Sequence, residues 1–105
     1  MSVRTQIDVP FDRIAGLCRA WRISELALFG SSVREDFGPD SDVDVLVTFA
    51  VEARPTLLDM ARIENELSEL FGRPTDLVER RAVERSRNHI RREAILRSTR
   101  TIYAG

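Results

Sequence analysis

Apolar residues recur along the chain in two rhythms, one helical and one alternating, and each predicts an element. Phe11, Ile14, Ala15, Cys18 and Trp21 are spaced by three and four residues, one stripe of a helix that opens near Asp8-Val9-Pro10. Ile23 to Phe29 is short, largely apolar and ends at Gly30, the pattern of a buried strand. Val43 to Phe49 alternates, with Val43, Val45, Val47 and Phe49 on one face and Asp42, Asp44, Leu46 and Thr48 on the other. Between these two strands, Ser31 to Asp36 predicts a short helix and Phe37-Gly38-Pro39-Asp40 a loop. Pro55-Thr56 opens a long helix striped by Leu57, Met60, Ile63, Leu67, Leu70 and Phe71, and Gly72 suits its stop. Thr75 to Val78 predicts a short strand, and from about Val83 to Thr101 a last helix is expected, with a thin stripe of Ile90, Ala94, Ile95 and Ile102. The order helix, strand, short helix, strand, helix, strand, helix implies an α+β (α/β-like) fold, a small mixed sheet flanked by helices. With 105 residues it forms one domain, 1–105.

Composition narrows the setting. A single cysteine excludes an internal disulfide framework and any Cys-cluster metal site. No apolar run approaches the length of a membrane span. The first residues, MSVRTQIDVPFDRI, carry charges where a signal peptide needs an apolar stretch, so a cytoplasmic protein is expected. The net charge of −1 hides an asymmetry: residues 1–79 hold 8 arginines against 15 acids, residues 80–105 hold 8 arginines against Glu84 and Glu93 alone. That basic tail reads as a solvated helix face, as a docking surface for an acidic protein, or as an RNA contact. The RNA reading is the weakest, because no aromatics interleave with the arginines to stack bases. Arg91 and Arg92 reach a nucleotide only if the last helix packs beside its site.

The chemistry concentrates between Leu28 and Val47. On a strand, Asp42 and Asp44 share a face with Cα atoms roughly 6.7 Å apart. Two carboxylates repel by about 4 kcal/mol at a separation of about 4 Å and an effective dielectric near 20. A hard divalent cation reverses that sign, because Mg²⁺ takes carboxylate oxygens and completes its shell with phosphates and water. Gly30-Ser31 follows a strand and opens a turn, where free backbone N–H groups can meet phosphate oxygens and the Ser31 hydroxyl adds a donor. Arg34, one turn on, can offer its guanidinium to the same phosphates. An EF-hand loop beginning at Asp40-x-Asp42-x-Asp44 is excluded, since its sixth position is Val45 and its twelfth Val51.

Gly30-Ser31, the ten residues Ser32 to Ser41, then Asp42-Val43-Asp44 resemble without a gap the signature of the polymerase-β-type nucleotidyltransferase superfamily. The short chain resembles its minimal nucleotidyltransferases (MNT), often paired with a HEPN-domain protein as toxin and antitoxin. The resemblance implies a nucleotidyltransferase fold in which Asp42 and Asp44 bind Mg²⁺ and the Gly30-Ser31 turn holds the triphosphate, where Arg34 is placed to assist. It implies a third carboxylate on a neighbouring strand, the position of Asp76, and two Mg²⁺ ions clamping attacking and leaving oxygens. The activity implied is transfer of AMP from ATP to a tyrosine hydroxyl of a HEPN-type toxin, the chain acting as its antitoxin. A docking module without catalysis and a small-molecule nucleotidyltransferase are the alternatives. The complete set of Gly30, Ser31, Asp42, Asp44 and Asp76 argues against the first, and the lack of residues for a drug pocket against the second. Direct nucleic-acid and membrane partners are not expected, and homo-oligomers stay open. Asp36, Asp40, Glu35 and His89 read as solvated, Cys18 and Trp21 as core, and Tyr103 as packed or exposed.

Overall fold

The computed structural model describes residues 9–30 and 42–105. The short helix expected over Ser31 to Asp36 and the loop after it lie outside those residues.

Helix α1 (Phe11–Trp21) begins at Pro10, whose carbonyl accepts the Ile14 N–H at 2.9 Å. Its buried stripe is Ile14, Leu17 and Cys18, so the apolar face is turned slightly from the expected one and Phe11 is 59% exposed. Burial pushes the Cys18 thiol up to about 12, with neighbouring Arg19 pulling weakly the other way. Arg22 ends the helix at φ 58, and strand β1 (Ile23–Phe29) follows at once. Strand β2 (Val43–Phe49) runs antiparallel to β1. Its alternation is as expected, with Val43, Val45, Val47 and Phe49 all buried in one core.

Helix α2 (Leu57–Phe71) opens on a reciprocal cap. Thr56 Oγ1 accepts the Asp59 N–H at 3.1 Å, while the Thr56 N–H donates to Asp59 Oδ2 at 3.0 Å. Such caps contribute about 1 kcal/mol. The helix buries Ile63 and Leu67 and stops at Gly72 in the left-handed region. It is the crossover that a parallel pair requires, leading to strand β3 (Thr75–Glu79), which lies parallel to β2. As an edge strand, β3 would present free N–H groups, and α2 takes two of them. Ser68 Oγ accepts from Thr75 at 3.0 Å and Glu64 Oε2 from Leu77 at 2.9 Å.

After β3 the chain departs from expectation. In place of one helix to Thr101 there are α3 (Arg80–Glu84), α4 (His89–Arg97) and a final strand β4 (Arg100–Ala104). The break has a local cause: the Asn88 side chain caps α4 by accepting the Arg91 N–H, and the Asn88 N–H donates to Ser86 Oγ. Thr101-Ile102-Tyr103 then suits a half-buried strand better than a helix end. β4 pairs antiparallel with β1, completing a mixed sheet in the order β3-β2-β1-β4.

Helices cover both faces. Residues of α1 and α2 form the larger core with Leu26, Leu28, Val43, Val45, Val47, Leu77 and Ile102. On the other face Val83 of α3 and Ile95 of α4 pack against Ala27, Phe29 and Leu46. Leu46 is therefore buried although it lies on the polar side of the β2 alternation. Among the described residues no helix is long and apolar enough to cross a membrane.

Candidate active site

The strand registers bring the chemistry together. Asp44 pairs with Phe29 of β1 on one side and with Asp76 of β3 on the other. Residues paired in register point to the same face, so two carboxylates stand side by side on the face covered by α3 and α4. Further along that face lie the pairs Ala27–Leu46 and Leu46–Val78, where Val83 and Ile95 close the layer. Among the described residues that coverage stops short of Asp44 and Asp76, and a cleft of about 480 Å³ opens there.

Gly30 forms one end of the cleft. It adopts φ 62, and a Cβ built on it would stand 2.6 Å from Asp44 Oδ2. A larger residue here would be strained by the backbone conformation and would push the Asp44 carboxylate aside. The main chain at Gly30 thus runs close against the acidic strand. The start of β2 is fixed to the start of β3 by the Val43 N–H donating to the Pro74 carbonyl at 2.9 Å. That bond holds the Asp44–Asp76 register.

The expected residues are not all assembled. Gly30, Asp44 and Asp76 line the cleft. Asp42 sits exposed just before β2 and is not part of the cleft wall. Among the described residues, no three His, Cys, Asp or Glu side chains stand close enough to hold a metal ion as placed. Ser31 and Arg34 lie outside the described residues. The donor set still fits a hard cation: Asp44 and Asp76 could supply oxygen ligands from adjacent strands, beside a backbone cradle that a Cβ would fill.

The far wall comes from the basic tail. The last helix does pack beside the acidic strand, the condition under which its arginines reach the site: Arg91, Ala94, Ile95, Arg97 and Ser98 of the α4 segment line the same cleft, and Arg92 does not. Ile95 is the reason: seated on the sheet, it brings along Arg91, one turn before it, and Ser98, just under a turn after it. Arg97 was missed from the sequence, since nothing in an arginine-rich stretch marks which guanidinium a single apolar anchor will aim. Arg92 is a brace, its Nη1 donating to the Ser86 carbonyl at 3.1 Å. His89 is exposed, Cys18 buried and Tyr103 half-buried against the larger core, each as expected. Trp21 also packs on that core and donates from Nε1 to Glu66 Oε1 at 3.2 Å.

The family model for a nucleotidyltransferase domain matches residues 14–100. The protein adenylyltransferase MntA of Thermococcus cleftensis is 45% identical over 56 residues, 53% of this chain and 54% of its own. The chain thus spans little more than half the length of that curated relative. Three solved structures share the fold. A toxin–antitoxin complex with AMP-PNP superposes with a TM-score of 0.70 at 18% identity, over 92% of this chain and 75% of that one. A protein assigned as a minimal nucleotidyltransferase gives 0.65 at 32% identity, over 85% of both chains. A complex of tri-AMPylated Shewanella oneidensis HEPN toxin with an MNT antitoxin gives 0.58 at 18% identity, over 90% of this chain and 70% of that one.

Proposed function

The chain belongs to the nucleotidyltransferase-domain family, and on that premise we propose that it transfers AMP from ATP to a tyrosine hydroxyl of a HEPN-type toxin, as an antitoxin. The observation that carries this reading is the pair Asp44 and Asp76, in register on adjacent strands against the bare backbone of Gly30. Like charges on neighbouring strands repel, at some cost to the stability of the sheet. A site that accepts this cost is suited to a cationic ligand. The names of relatives support the acceptor: a protein adenylyltransferase by sequence, and an AMP-modified HEPN toxin bound to an MNT antitoxin by fold.

Asp42, Asp44 and Asp76 would hold Mg²⁺, two ions in the fullest form. The ion supplies charge neutralisation of the triphosphate and of the developing negative charge. The Gly30 backbone lets the phosphates approach closely, with Ser31 and Arg34 as further donors. Asp76, exposed at the cleft, accepts the proton of the attacking hydroxyl. The hydroxyl oxygen forms its bond to the α-phosphorus in line as the bond from that phosphorus to the bridging oxygen breaks. Pyrophosphate leaves with the electron pair.

The test is transfer from ATP labelled at the α-phosphate, with Mg²⁺, to the protein encoded by the neighbouring reading frame. Label on a tyrosine of that protein, lost in Asp44→Asn and in Asp76→Asn, is the expected result. A wild-type chain that labels nothing and gains no thermal stability from saturating Mg²⁺ and ATP overturns the reading.

A further inference from the structure

We propose that Arg91 grips the β- and γ-phosphates of the nucleotide, which makes α4 a wall of the triphosphate site and not a separate docking face. This rests on the nucleotidyl-transfer reading above and adds to it a residue outside the Gly-Ser and Asp-x-Asp motifs.

Three observations carry it. Arg91 lines the same cleft of about 480 Å³ as Gly30, Asp44 and Asp76, a volume suited to a nucleotide. Its backbone is fixed while its side chain is available. The Arg91 N–H is held by Asn88 Oδ1 at 3.1 Å, the preceding turn is braced by Arg92 on the Ser86 carbonyl, and Ile95 anchors the next turn on the sheet. Among the described residues the Arg91 guanidinium makes no ion pair. Arg97, by contrast, has a partner in Glu93 at 3.5 Å, an exposed pair of little strength that leaves it a secondary contact.

The charge arrangement selects the ligand. The cleft has two carboxylates on the floor and guanidinium groups on the wall. A nucleoside triphosphate with its metal satisfies both, the metal on the carboxylates and the outer phosphates on the wall. Guanidinium binds phosphate through two parallel N–H donors, a geometry that an ammonium cannot copy. A nucleoside monophosphate lacks the outer phosphates that would meet Arg91.

Calorimetry on the full chain with Mg²⁺ and either ATP or AMP tests this. Arg91→Gln is expected to weaken ATP binding about tenfold or more, the loss typical of a charge-assisted hydrogen bond, and AMP binding less than twofold. Arg91→Lys should fall between Gln and wild type. The double variant Arg85→Gln with Arg87→Gln, whose residues lie outside the cleft, should match wild type. Pyrophosphate should compete with ATP less well in Arg91→Gln. Far-UV circular dichroism should be unchanged, since the cap uses the Arg91 backbone and not its side chain. If wild type binds ATP and Arg91→Gln binds it equally, the inference fails while nucleotidyl transfer stands. Equal loss of ATP and AMP also overturns it, because Arg91 would then act elsewhere than on the outer phosphates. If wild type binds no ATP, both readings fall.

Discussion

Replacing Gly30 by alanine gives the sharpest view of the site, because Gly72 supplies an internal standard. Both glycines are left-handed, at φ 62 and 70, so alanine at either position costs roughly 1–2 kcal/mol of backbone strain. Their surroundings differ. A Cβ at Gly72 meets nothing within 4 Å, whereas one at Gly30 lies 2.6 Å from Asp44 Oδ2. Ordinary contact begins at 3.4 Å, so the oxygen must retreat by about 0.8 Å, the difference of those two distances. A carboxylate can do this by rotating, so the extra cost in stability is small. A change approaching 1 Å in a reacting group can nonetheless cost about a hundredfold in rate. Both variants should therefore melt about 4–8 °C lower per kcal/mol lost, by similar amounts. Only Gly30→Ala should lose transfer, about a hundredfold, and weaken Mg²⁺-dependent ATP binding. Thermal melts, calorimetry and the labelling assay on both variants decide it. If Gly30→Ala transfers as fast as Gly72→Ala, the contact of backbone with carboxylate plays no part in the chemistry.

Asp76→Asn removes a like charge beside Asp44, and its unfolding midpoint in urea should stay level or rise while transfer is lost; an unfolded variant would make the residue structural. Ile95→Ala should cost about 2–4 kcal/mol and weaken ATP binding without touching a polar group, because Ile95 is the one buried side chain of α4. Unchanged ATP affinity in a folded Ile95→Ala would detach α4 from the site. The Cys18 thiol, raised in the fold from 9.0 to about 12, stays neutral where the unfolded thiol ionises. Its contribution to stability is complete below pH 9 and falls away as pH rises toward 12, so urea midpoints should drop less over that window in Cys18→Ala.

The legible parts of the chain were those with two-sided constraints. β2 announces itself because one face is wholly apolar and the other carries Asp42 and Asp44. α2 has both a reciprocal cap and a glycine stop. Asp76 is singled out only through the resemblance, which implies a third carboxylate on a neighbouring strand; the fold sets it in register opposite Asp44. The last quarter was harder. α4 rests on Ile95 alone, so its stripe is too thin to show length or orientation, and tertiary packing decides both. Ser86 and Asn88 were available as capping residues, and Thr101 to Tyr103 as strand formers. Either signal, weighed above the arginine content, ends the helix early. Arg97 had no signal of its own.

The register between β2 and β3 has a consequence for how accurately the site is made. Side chains on a strand alternate, so slipping β3 by one residue against β2 would bury Asp76 and turn Leu77 out into the cleft. No partial slip exists, and the full slip would desolvate a carboxylate and expose a core leucine together. Placement of Asp76 beside Asp44 is therefore quantised. Thermal motion can tilt the carboxylates, but moving them apart along the strands means giving up the core. Mutations scattered through the larger core should consequently lower the fraction of folded molecules long before they blur the geometry of the site in those that remain folded. Activity per folded molecule and total activity should then part company across such a series.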